Sequence, residues 1–261
     1  MYQEHFKLKR QPFSEHAAAN SLWIDQRMKE ALARLTFLVD HAALGLVTGP
    51  SGVGKSALLK CFLDKLPQRC EAVYCHLTHL PSSGLLKVLV AQMGEVPRRG
   101  KDRLFDQIYQ AAKRAEGTLL LVIDEAHLLD GEALTDLRLL VSSAIDVAPP
   151  LKILLVGQQT LRAVLKRSQH ADLLNRVNVQ YQLRGFTKEQ TGYYIDVQMK
   201  QAGGAEDVFD ASVKELIHDF TGGIARQINN LATACLLQAT ARNVMRVDET
   251  LFQQTTAEFH V

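Results

Sequence analysis

Gly49-Pro50-Ser51-Gly52-Val53-Gly54-Lys55-Ser56 has the spacing G-x-x-x-x-G-K-[ST]. Glycines at these positions let successive backbone N–H groups curl around a phosphate without Cβ clashes. Lys55 adds an ammonium for β- and γ-phosphates, and Ser56 offers a hydroxyl to a divalent cation. Ala57, next on the helix that opens there, completes the expected nucleotide-binding set. Downstream, the aliphatic run Leu119–Ile123 delivers Asp124 and Glu125 at its end. An acid at the first of these positions can hold Mg²⁺, and one at the second can orient or deprotonate a water. Together these residues point to ATP with Mg²⁺, and to water attacking the terminal phosphate. Glu125 and Lys55 carry the chemistry and Ser56 and Asp124 the metal.

The elements around these motifs must place them at strand ends. Leu44–Thr48, Ala72–Leu77, Leu119–Ile123, Leu151–Val156 and Val177–Leu183 read as strands, the first four as near-continuous apolar runs. Such runs are expected when helices cover both faces of a parallel sheet. Between them, Leu58, Leu59, Phe62, Leu63 and Leu66 share one helical face. Leu104, Phe105, Ile108, Ala111, Ala112 and Ala115 share another. This alternation predicts an α/β layered domain over residues 1–184 with a parallel five-stranded sheet. Beyond Arg184 the strand signals stop. Thr187–Gln201, Ala211–Phe220, Ala225–Arg242 and Asp248–Phe259 read as helices, predicting a small all-helical domain over 185–261.

Composition narrows the class. Apolar residues make up 47% and charged residues 22%, as in a globular protein with a real core. No apolar run approaches the roughly 18 residues of a membrane span, and the N-terminus lacks a signal-peptide core. The chain reads as soluble and cytoplasmic, without a membrane partner. Cys61, Cys70, Cys75 and Cys235 have no zinc spacing and read as buried thiols. His76 and His79 lie near them, but no carboxylate or close thiol pair completes a metal site. The net charge of +2 divides unevenly. Residues 1–184 hold 24 Lys and Arg against 18 Asp and Glu, and residues 185–261 hold 6 against 10.

The phosphate loop, the Asp124-Glu125-Ala126-His127 box and the helical tail resemble the AAA+ ATPases. The opening Phe6-x-Leu8 with Pro12-Phe13 is similar to their ExeA-like branch. The resemblance implies an AAA+ P-loop NTPase fold with a helical lid, working as a homo-oligomeric ring or filament. It also implies a γ-phosphate sensor at Gln158, with Gln159 as the alternative. An arginine finger acting on a neighbour's nucleotide falls at Arg176, with Arg167 as the alternative. A sensor-2 arginine falls at Arg226, although Ala225 stands where many relatives have proline.

One further segment bears on a partner. Val96–Arg103 gathers Arg98, Arg99, Lys101 and Arg103 around an expected helix start, where free N–H groups already favour phosphate. No aromatic residue interleaves with them, which points to the backbone of duplex DNA rather than stacked single strands. A solvated loop paired with Glu95, Asp102 and Asp106 is the plainer reading. The branch that carries the resemblance includes ATPases encoded with transposases, of the TniB, TnsC and MuB type. That implies an ATPase that assembles on duplex DNA and presents a target to a transposase. A secretion-type assembly ATPase and a generic AAA+ remodeller are the alternatives.

Overall fold

The computed structural model describes residues 2–14, 22–76, 82–142, 151–205 and 207–258. In chain order, α1 (Tyr2–His5) and α2 (Gln26–His41) precede β1 (Leu44–Thr48) and α3 (Lys55–Asp64). Then come β2 (Cys70–His76), α4 (Ser82–Gln92), α5 (Lys101–Arg114) and β3 (Thr118–Asp124). A 3₁₀ turn over Ala126–Leu128 leads to α6 (Gly131–Ser142), β4 (Leu151–Gly157), α7 (Gln159–Leu165), α8 (Ala171–Asn175) and β5 (Val179–Gln182). The remainder is helical: α9 (Lys188–Gln201), α10 (Ala211–Thr221), α11 (Ala225–Ala241) and α12 (Glu249–Glu258). Leu77, His79 and Phe259 lie outside the described residues.

The contacts divide the chain into two compact units. One holds Ile24–Gly49 and Lys55–Leu183; the other holds Met1–Trp23, Pro50–Gly54 and Arg184–Val261. The chain passes from one unit to the other at Leu183/Arg184, and the segments Met1–Trp23 and Pro50–Gly54 group with the helices. The residues responsible are apolar. Phe6 and Phe13 are buried in the helical unit's core, and Phe13 meets Phe209 edge-on at 6.2 Å. The Phe6 and Phe13 motif is thus a docking device for the N-terminal segment.

In the α/β unit the sheet order is β2-β3-β4-β1-β5, every pairing parallel. The central strands β1 and β4 are buried at every position, because both faces are covered. Leu44, Leu46, Leu121, Ile123, Ile153 and Leu155 pack against α4 to α8 on one face. On the other, α2 lies so close that a Cβ on Gly45 would come within 2.6 Å of Leu38. The edge strand β2 alternates instead, burying Val73 and Cys75 and exposing Tyr74 and His76. The last strand is shorter than expected, because Val177 still donates to Leu174 O in the turn that closes α8.

Charge also organises this unit. Asp25 caps α2 by accepting from Met28 N at 2.9 Å. Buried Lys152, on β4, donates to Ala42 O at 2.7 Å, and burial pulls its pKa below the ordinary lysine value. In the helical unit, Thr187 and Gln190 form a capping box at the start of α9. Trp23, Phe186 and Tyr194 cluster with ring centroids 5.0–5.9 Å apart. All four cysteines are reduced and buried.

Candidate nucleotide site

Strands β3, β4 and β1 are neighbours and parallel, so their C-terminal ends form one edge. That edge collects Asp124 and Glu125 after β3, Gln158 after β4 and Gly49 after β1. Ligands of open parallel sheets sit outside such ends. Gly49 N donates to Gly157 O at 3.2 Å, fixing where the loop leaves the sheet. Lys55 is buried, and its Nζ donates to Gly49 O at 3.0 Å. The ammonium is therefore held against the loop that precedes it. Ser56 is exposed on the first turn of α3 and Ala57 is half-buried behind it.

The loop tip, Pro50 to Gly54, belongs to the helical unit. Gly52 (φ 76°) and Gly54 (φ 112°) occupy the left-handed side of backbone space, open to glycine at little cost. Arg226 N donates to Gly52 O at 3.0 Å, and a Cβ on Gly52 would stand 2.7 Å from Arg226 Cβ. Glycine is required here by both conformation and space. Ser51 and the Arg226 side chain are exposed; Val53 is buried.

Asp124 is almost fully buried, and its two oxygens take different donors. Oδ1 accepts from Glu125 N at 2.8 Å, and Oδ2 accepts from Tyr74 Oη at 2.9 Å, with His76 Nδ1 3.5 Å from the same oxygen. Burial first, then the charge and hydrogen bond of Asp124, push the Tyr74 phenol far above its usual pKa, so it stays a donor. Glu125 has a left-handed backbone (φ 55°), costly for a residue with a Cβ, and such outliers cluster at functional positions. Its Oε2 lies 3.2 Å from His127 Nδ1, a buried atom that makes no aligned hydrogen bond. The close approach of this turn to β4 needs Gly157, where a Cβ would come within 3.1 Å of His127 N. Gln158 then opens α7 with a side chain that does not cap it. Gln159 is exposed beside it.

The other expected site residues lie elsewhere. Arg176 is exposed at the end of α8, next to Asn178, whose N–H reaches Leu44 O at the start of β1. That is the end of the sheet opposite the edge that carries Asp124 and Gly49. Arg167 is exposed between α7 and α8. Arg98, Arg99 and Arg103 are exposed around the start of α5, where the helix begins at Lys101 as expected. Lys101 departs from the expected cluster of phosphate ligands. Its Nζ stands 2.7 Å from both Glu132 Oε1 and Asp136 Oδ2, tying α5 to α6. Glu95 does not pair within the segment either, but with Arg114 and Gln107.

Among the described residues no cluster of three His, Cys, Asp or Glu could cage a metal. A Mg²⁺–nucleotide site is built differently, from one or two protein oxygens completed by phosphates and water. The hydroxyl of Ser56 and the carboxylate of Asp124 are hard oxygen donors of that kind, and they fit the ion. Tyr74 stands in no motif, His76 is weighed in the sequence only as a metal ligand, and His127 stands in the acid box without an assigned role. Only the register of β2 against β3, which pairs His76 with Asp124, would have revealed the first two.

The sheet order, the loop and the acid box define the fold of an AAA+ P-loop ATPase. Residues 39–165 match the family described as "AAA domain". Among curated proteins the chain is 30% identical over 255 residues to general secretion pathway protein A of Aeromonas hydrophila. The alignment covers 95% of this chain but 46% of that protein, so the chain spans less than half of its relative. Among solved structures it is similar to the Aeropyrum pernix ORC1 protein in complex with DNA. The TM-score is 0.68 at 15% identity, covering 94% of this chain and 68% of the other. The A. pernix ORC2 protein, in ADPNP–ADP complexes, gives 0.68 at 19%, covering 94% and 71%. No helix among the described residues is long and apolar enough to cross a membrane.

Proposed function

We propose that the chain is a Mg²⁺-dependent ATPase that assembles as a homo-oligomer on duplex DNA. The observation that carries the ATPase reading is the shared strand-end edge, where Gly49, buried Lys55, Asp124, Glu125 and Gln158 converge. In this reading the loop N–H groups and Lys55 bind the phosphates, and Ser56 and Asp124 hold Mg²⁺, which neutralises phosphate charge. Glu125 orients the attacking water and Gln158 faces the γ-phosphate. Arg226 answers nucleotide through its link to Gly52. Arg176, remote from its own chain's site, serves a neighbour's nucleotide. The arrangement makes hydrolysis depend on assembly.

The DNA half of the reading rests on Arg98, Arg99 and Arg103, three exposed guanidinium groups around one helix start on the more basic part of the chain. The ORC1 neighbour, solved with DNA, shares the fold and lends support. Presenting target DNA to a transposase is the narrower form, and it rests on the sequence resemblance alone. Anisotropy of labelled duplex DNA with ATP, across a salt series, tests the interface. Arg98→Ala/Arg99→Ala should weaken binding and flatten the log–log salt slope by about one unit per lost contact. An unchanged affinity and slope would return the segment to a solvated loop.

A second reading is favoured by the 30% identity to a secretion pathway protein along 95% of the chain. There the ATPase would drive an envelope assembly, and duplex DNA would neither stimulate hydrolysis nor order the protein. Electron microscopy with a slowly hydrolysed ATP analogue, with and without DNA, separates the two.

A further inference from the structure

We infer that Tyr74 is a positioning residue for the metal-binding carboxylate, setting how well Asp124 holds Mg²⁺. The inference rests on the nucleotide reading above and concerns a side chain outside the loop and the acid box. Tyr74 sits on edge strand β2 opposite Val122, while Asp124 sits opposite His76. Tyr74 and Asp124 are thus diagonal neighbours on one face of a parallel pair, a separation that an aromatic side chain can span. The phenol crosses it and donates to Asp124 Oδ2 at 2.9 Å.

The consequence follows from counting donors and lone pairs. A carboxylate has about four acceptor positions, and here one on each oxygen is taken: Oδ1 by Glu125 N–H and Oδ2 by Tyr74 O–H. Two donors on two oxygens fix the rotation of the carboxylate plane, which one donor alone leaves loose. The remaining lone pairs are aimed in a set direction before any cation arrives. The backbone donor is available to every residue type at this position. The phenol is particular to Tyr74. His76, exposed and 3.5 Å from the same oxygen, is a longer and weaker contact. Partners that orient metal ligands commonly contribute 10–100-fold in metal affinity or activity.

Tyr74→Phe removes the hydroxyl and keeps the ring, at a position that is 39% exposed, so the strand retains its packing. The test is calorimetric titration of ATP without metal and at a series of Mg²⁺ concentrations, for wild type, Tyr74→Phe and His76→Ala. The expected result for Tyr74→Phe is unchanged metal-free nucleotide affinity, within twofold. The Mg²⁺ concentration giving half of the metal-dependent gain should rise by about tenfold. His76→Ala should shift it less. The inference is overturned if Tyr74→Phe needs the same Mg²⁺ as wild type, or if metal-free and metal-bound affinities fall together. Wild type that binds no ATP at all would sink the nucleotide reading and this inference with it. Binding with an unshifted Tyr74→Phe sinks the inference alone.

Discussion

The sequence places Lys101 among the DNA contacts, and the structure pairs it with two acids instead. Its ammonium is 2.7 Å from Asp136, whose side chain is 4% exposed, and 2.7 Å from Glu132, which is 70% exposed. Removing one partner of a fully buried ion pair costs about 3–5 kcal/mol, because the other charge is left stranded. Lys101 is itself 35% exposed, so water reaches the pair and reduces that figure to about 2 kcal/mol. For a domain of this size about 2 kcal/mol lowers the melting temperature by roughly 4–8 °C. Lys101→Ala should therefore melt several degrees below wild type, while Glu132→Ala, losing only an exposed pair, stays within about 1 kcal/mol. Lys101→Met/Asp136→Leu, which removes both charges, should recover most of the loss. In the DNA assay the order inverts: Lys101→Ala keeps the wild-type salt slope and Arg98→Ala/Arg99→Ala does not. Thermal melts of wild type and the four variants, with anisotropy on the same samples, decide the matter. A Lys101→Ala protein that melts like wild type but loses salt-dependent DNA binding would refute the reasoning.

Two other perturbations probe independent parts of the account. His170 is buried, and burial first, then the charge of Arg167, hold its pKa below the ordinary value. The unfolded chain, near pKa 6.5, takes up a proton that the folded chain resists, so stability is flat above that pH and falls as pH drops below it. His170→Gln should lose less melting temperature between pH 7.5 and 5.5 than wild type; equal losses would contradict the assignment. Gly52→Ala places a Cβ 2.7 Å from Arg226 Cβ at φ 76°. The left-handed backbone alone costs about 1–2 kcal/mol, so melting without nucleotide should fall by several degrees. A shift under one degree would mean that the loop tip does not depend on Arg226.

The parts of the fold that were legible in sequence are those fixed by local pattern. Central strands buried on both faces must be continuous apolar runs, so β1, β3 and β4 could be located within a residue or so. The helices of the tail carry their stops in Gly203-Gly204 and Gly222-Gly223. The glycine-rich loop stands out in the sequence because its glycines, lysine and serine fall at fixed offsets. What escaped was set by contacts distant in sequence. Phe6 and Phe13 give a motif but not a destination, because the core they join, with Phe209 against Phe13, is remote in the chain. Lys101 reads as one more base in VPRRGKDR until α6 brings Asp136 against it. Tyr74 reads as an ordinary strand aromatic until the register of β2 sets it beside Asp124. His127 lies within a recognised box, yet the burial of its Nδ1 beside Glu125 depends on how Gly157 admits the turn.

The central claim is that one chain offers one Mg²⁺–ATP site organised by Lys55. Calorimetric titration of Mg²⁺–ATP into wild type and Lys55→Ala tests it most directly. A charged hydrogen bond of about 1.5–3 kcal/mol corresponds to roughly 10–100-fold in affinity. Wild type should show one site per chain, and Lys55→Ala a loss of that size. No binding heat from wild type, or equal affinity in the two proteins, would contradict it.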